Sequence, residues 1–70
     1  MMPLAFADPE EELVIQRVGG KPEMKKHLED LGFVAGGRVR IVSEMAGNLI
    51  VNVKETRIAI SKEMAQKIMV

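Results

Sequence analysis

Residues 27–42 read "HLEDLGFVAGGRVRIV", and within them the spacing of apolar letters changes from helical to alternating, first across Gly32 and then across the pair Gly36–Gly37. Just upstream, "KPEMKKHLEDLG" sets Met24, Leu28 and Leu31 at i, i+4 and i+7, one face of a short helix. Pro22 falls in the first turn, where its missing amide hydrogen does little harm. Gly32 stands where a left-handed residue ends a helix, and Phe33 follows where it can pack back on Leu28. The first glycine is therefore a helix stop. The glycine pair then turns the chain into "RVRIVSEM", whose period of two places Val39 and Ile41 on one face and Arg38, Arg40 and Val42 on the other.

Working toward the N-terminus, "ELVIQRV" over Glu12–Val18 reads as a first strand that stops at Gly19–Gly20. Alternation offers two core faces, Leu13 with Ile15 or Val14 with Val18, and does not choose between them. Toward the C-terminus, "AGN" at Ala46–Asn48 is a tight-turn signal, so "LIVNV" forms a hairpin with the strand before it. Lys54 and Glu55 turn the chain again into "TRIAI". Ser61 is a good N-cap residue for a short helical turn carrying Glu63, with Met64, Ala65 and Ile68 along one side. Closing residues that pair with the first strand would remove an exposed edge. The expected fold is mainly β: a small, strongly bent barrel with one short helix after the first strand and a helical turn before the last.

Seventy residues allow one domain, residues 1–70, with a thin core, because a chain of about 60 residues buries only roughly 60% of its unfolded surface. Self-association into a homo-oligomer is one way for such a core to gain stability. The chain is 47% hydrophobic and 29% charged, a folded composition, but Phe6 and Phe33 are its only aromatic residues. Val, Ile, Leu and Met must fill the interior. Without cysteine, disulfides and thiolate metal sites are ruled out. Ten basic and ten acidic side chains cancel, and no basic stripe stands out, which disfavours nucleic acid. The opening "MMPLAFADPEEE" lacks the positive start of a secretory signal, and no run approaches the ~20 apolar residues of a membrane span. The expected location is the cytoplasm, with no direct membrane insertion.

The inventory for catalysis is poor. His27 is the only histidine, Ser61 reads as a helix cap, and no phosphate cradle precedes a Lys and a Ser or Thr. "GFVAGG" precedes a strand, whereas a dinucleotide fingerprint must open a helix. The expectation is a protein that is not an enzyme and needs no cofactor. For binding, the solvent face of the first helix (Lys25, Lys26, Glu29) and the second strand with its hairpin (Arg38, Arg40, Met45, Asn48) are the candidate contact residues. An alternative is a weak transition-metal site in which His27, with Asp30 three residues on and Glu23 four before, supplies imidazole and carboxylate ligands from one side of the helix. A closed zinc site usually needs about four ligands, so a solvated histidine is the plainer reading. The acids Glu10, Glu11 and Glu12 lack the glycine and terminal bidentate acid of a calcium loop and read as a solvated edge.

The order "LEDLGFVAGGRVRIV", a hairpin, then "VNVKETRIAISKEMAQKIMV" resembles the FeoA family of small cytoplasmic accessory proteins of ferrous iron transport. The matching positions include Pro3 with Leu4, Gly19 with Gly20, Leu31 with Gly32, and the closing Ala65, Ile68 and Val70. Glu55 departs from the pattern, standing where a turn glycine is common. The resemblance implies an SH3-like barrel with helical insertions and a partner, a ferrous iron permease with a cytoplasmic GTP-binding domain. It implies no catalytic residue.

Overall fold

The helical pattern that begins at Lys21 becomes α1 (Pro22–Leu31) in the computed structural model, which describes residues 1–70. Gly32 ends it with a left-handed φ of 110°. The Gly32 amide donates to the Glu29 carbonyl and the Phe33 amide to the Leu28 carbonyl, both at 2.9 Å. Those two bonds are the Schellman ending expected from Leu-Gly-Phe. Leu28 and Phe33 are fully buried, while Met24 and Leu31 pack half-buried against the same core.

Alternation then builds a meander of β3 (Arg38–Met45), β4 (Asn48–Val53) and β5 (Thr56–Ser61). Two-residue turns join them: Ala46–Gly47 with φ of 51° and 81°, and Lys54–Glu55 with φ of 50° and 63°. Positive φ at both central residues is the type I′ geometry, whose twist suits paired strands. Val39 faces Val53 and Ile41 faces Val51, and all four are buried. The expected inward face of β3 is thus observed. A bulge between Ile41 and Ser43 takes Val42 out of register and leaves it half-buried, so the outward set ends at Arg40.

The first strand departs from expectation. Instead of one run over Glu12–Val18, the structure has β1 (Glu12–Val14) paired with β3 and β2 (Arg17–Val18) paired with β6 (Ile68–Met69). Between them the Ile15 amide donates to the Gly37 carbonyl at 2.8 Å and the Gly36 amide donates to the Ile15 carbonyl at 2.7 Å. One residue on, the Gln16 amide donates to the Met69 carbonyl at 2.7 Å. The chain therefore changes partners at Ile15–Gln16, and the period of two resets there. Leu13 packs half-buried against the core, Ile15 is buried and Val14 is exposed, so the Leu13–Ile15 set faces inward before the switch, while after it Val18 of the other set is buried.

This corner explains the glycine pair. Gly36 adopts a φ of 87°, and a Cβ on Gly37 would lie 3.0 Å from the Val34 carbonyl oxygen. A side chain at either position would disturb the turn that grips Ile15.

Residues 1–11 carry an element that alternation does not reveal. A single 3-10 turn (Leu4–Phe6) buries Leu4 completely, while Met2 and Val70 exchange amide–carbonyl bonds of 2.9 and 2.8 Å. Pro3 bridges Met69, so β6 lies between β2 and residues 2–3. Ser61 caps α2 (Lys62–Ala65) through its Oγ, which accepts the Met64 amide at 3.1 Å. The two sheets, β1-β3-β4-β5 and β2-β6, meet where β1 runs into β2 and where β5 passes through α2 into β6. Between them sits one core of 13 residues with no buried polar side chain, the interior of a small SH3-like barrel.

Candidate functional site

An apolar interior leaves the surface as the place for chemistry, and two of its shallow depressions are lined by charged side chains. The first, of about 350 Å³, lies on the outer face of the large sheet. Because Val39 and Ile41 point inward, Arg38 and Arg40 must point outward, and both line it. Strand register sets Glu12, Arg40, Asn52 and Arg57 in one row across β1, β3, β4 and β5. Arg38 Nη1 lies 3.3 Å from Glu12 Oε1, with both side chains mostly exposed. An ion pair so solvated contributes roughly 0–1 kcal/mol, so it orients Arg38 more than it stabilises the fold. Lys54 and Glu55, held in the I′ turn, form the rim.

The second depression, of about 310 Å³, runs between α1 and β2. Lys25 and Glu29, one helical turn apart, line one side; Gln16, Arg17 and Val18 line the other, and Val34 and Ala35 complete it. The Schellman ending of α1 directs the chain into this Val34–Ala35 segment.

The seven candidate contact residues therefore occupy separate places. Lys25 and Glu29 share the helix depression, and Arg38 and Arg40 share the sheet depression. Lys26 is exposed on α1 but lines neither. Met45, 67% exposed, and Asn48 flank the Ala46–Gly47 turn at the far end of β3, about 23 Å along the strand from Arg38 at ~3.3 Å per residue. Glu23, His27 and Asp30 are all exposed on α1, and no group of three or more imidazole or carboxylate side chains converges in a way that could hold a metal ion. The hydroxyl of Ser61 accepts the α2 amide as its sequence position predicts.

Glu12, Arg17, Asn52 and Lys54 line the depressions although the sequence did not mark them as contact residues. Glu12 reads as the end of an acidic run, Arg17 and Asn52 fall within strand runs, and Lys54 reads only as a turn residue. Only strand pairing brings them beside the arginines and lysine, and pairing register leaves no local mark at those positions. No helix is long and apolar enough to cross a membrane.

Fold and surface together define a class: a small SH3-like β domain with a purely apolar core and a charged surface that includes two open depressions. The FeoA domain model matches residues 2–70, and the chain belongs to the FeoA family. A relative from Methanocaldococcus jannaschii, named "Putative Fe(2+) transport protein A", is 31% identical over 70 residues, covering all of this chain and 85% of its own. Among solved structures, Stenotrophomonas maltophilia FeoA complexed with zinc, described as a prokaryotic SH3 domain protein, is 28% identical. It superposes with a TM-score of 0.86 over 100% of this chain and 89% of that one. The iron uptake regulatory protein FeoA superposes with a TM-score of 0.90 at 23% identity, over 99% of this chain and 93% of that one, a likeness of fold.

Proposed function

We propose that this chain is a non-enzymatic accessory factor of ferrous iron uptake, acting in the cytoplasm by binding the GTP-binding part of a ferrous iron permease. The observation that carries this reading is the family match over residues 2–70, together with a relative named for Fe(2+) transport. The Stenotrophomonas maltophilia protein is put forward as an activating factor of ferrous iron transport, which points the same way. The surface is compatible with such a role. Mixed charge around an open depression gives a partner orientation and specificity, where a deep apolar pocket would instead take a small molecule. Of the candidate contacts, Lys25 and Glu29 with Arg17 form one continuous surface, and Arg38 with Arg40 forms another. Titration calorimetry of the chain into the purified GTP-binding domain of its host's permease, with and without a GTP analogue, tests the proposal. Saturable, nucleotide-dependent heat is expected, and its absence in every nucleotide state would refute the proposed partner.

A second reading, weak binding of a transition metal, is favoured by the zinc complex of the Stenotrophomonas maltophilia protein. The donors here do not fit a closed site, since Glu23, His27 and Asp30 do not converge. What they allow is a one- or two-ligand surface contact. Anaerobic ferrous titration of the wild type and of His27→Ala distinguishes this reading from the first, because only metal binding through His27 loses affinity in the variant.

A further inference from the structure

The large sheet ends in β5, and β5 has no neighbour on its outer side. Its pairing with β4 runs without interruption from Val53–Thr56 to Asn48–Ser61. Val53 and Thr56 flank a two-residue turn, so Thr56, Ile58 and Ile60 exchange backbone bonds with β4. By the same alternation, Arg57, Ala59 and Ser61 turn their backbone groups toward the open edge. No turn, loop or cap hydrogen bond in the molecule uses the amides of these three residues or the carbonyls of Arg57 and Ala59. Of the usual protections the edge has a single charged side chain, Arg57. It is six residues long, has no bulge or proline, and carries a small exposed Ala59 at its middle.

We infer that β5 is a self-pairing edge: two copies of this chain join through antiparallel β5 strands about a two-fold axis at Ala59, making one eight-stranded sheet. The occupant follows from what each register would bring together. Centred on Ala59, the pairing sets Arg57 opposite Ser61 of the partner subunit and Ile58 opposite Ile60 of the partner subunit. The two Ala59 residues exchange amide–carbonyl bonds, and the Ser61 amide donates to the carbonyl of the partner's Arg57. No like charges meet, and the half-buried Ile58 comes to lie beside the partner's Ile60 on the inner face, where Ile60 is already buried in its own core. Sliding the strands until Arg57 faces the partner's Arg57 would oppose two guanidinium groups. The favoured register therefore also uses all three outward residues. A contact one strand long falls below the about 1,200 Å² typical of stable specific interfaces. Association is accordingly weak and develops only at high concentration.

The chain has no cysteine, so a single introduced thiol reports the register cleanly. Paired Ala59 positions lie about 5.5 Å apart between Cα atoms, within disulfide reach. The two Arg57 positions are offset by four residues, about 13 Å, which is beyond it. Ala59→Cys is expected to form disulfide dimers at least about tenfold faster than Arg57→Cys under mild oxidation. Sedimentation of the cysteine-free wild type from micromolar to millimolar concentration should show a monomer passing to a dimer. Ala59→Pro removes the outward amide without breaking a β4–β5 bond and should stay monomeric with an unchanged circular dichroism spectrum. Ala59→Lys, a second variant in case proline disturbs the strand, should dissociate the dimer at low salt and recover it at high salt. A wild type that is monomeric at every concentration, or equal oxidation rates for the two cysteine variants, overturns the inference. A monomer whose Ala59→Pro variant no longer binds the permease domain also overturns it and assigns the edge to that other chain.

Discussion

The amide of Phe33 reaches back over Gly32 to the carbonyl of Leu28 at 2.9 Å, and both side chains are fully buried. One short loop thus ends the helix, anchors its last turn in the core and aims the chain at the glycine pair. Phe33→Ala should cost about 3–5 kcal/mol by leaving a cavity at this anchor. For a domain of this size total stability is only about 4–10 kcal/mol, so urea denaturation should find the variant partly or wholly unfolded at 25 °C. Gly32→Ala should cost less, about 1–2 kcal/mol, because its penalty is the left-handed φ and the nearest side-chain atom, 3.4 Å from the added Cβ, belongs to the flexible Lys54.

Lys54 and Glu55 hold a type I′ turn with no glycine in it. Each residue bears a left-handed penalty that glycine would relieve, so Glu55→Gly should raise stability by about 1 kcal/mol. The equivalent turn at Ala46–Gly47 supplies the control, since Gly47→Ala should lower stability by a similar amount with open space around its Cβ. Parallel urea melts of the two variants measure both signs. A destabilised Glu55→Gly would mean that the Glu55 side chain makes a contribution its exposure does not suggest.

Leu4 is fully buried although it lies in an opening segment without periodicity. Leu4→Ala should therefore cost about 2–5 kcal/mol, as much as truncation in a strand. Hydrogen exchange offers a second reading. The amides of Met2 and Val70, bonded to each other's residues, should be protected in the wild type and lose protection together in Leu4→Ala.

Glu12 and Arg38 form an exposed ion pair, and Glu12→Gln should change stability by no more than about 0.5 kcal/mol. Ser61→Ala, which removes only a hydroxyl group, should cost about 1 kcal/mol because it takes away the acceptor for the Met64 amide. Thermal melts of the two variants would separate a surface charge from a helix cap.

If the helix depression meets the permease, Lys25→Glu should weaken binding about tenfold or more, as expected for a charge at the contact. Lys26→Glu, on the same helix but outside the depression, should change it far less. Equal losses in calorimetry would point to a general field effect, and raising the salt would then remove both.

Much of this fold is legible locally. The stop at Gly32, the cap at Ser61, both tight turns and the inward residues Val39 and Ile41 depend on interactions within a few residues, so spacing and residue type carry them. Family membership was legible for the same reason, as an ordered series of such local signals. The sequence by itself also determined what the molecule lacks: thiols, a second histidine and any excess of positive charge. Tertiary structure decided the rest. Whether Glu12–Val18 is one strand or two depends on Gly36, Gly37 and Met69, which claim Ile15 and Gln16 from distant parts of the chain. Leu4 became core because β6 gave residues 2–3 a pairing partner. Arg40 stands in one row with Glu12, Asn52 and Arg57 only because three strand registers align, and Lys26 and Met45 fall outside those depressions because helix phase and strand length carry them away. Local rules act through a few neighbouring dihedrals, whereas these placements are set by long-range hydrogen bonds that no single segment encodes.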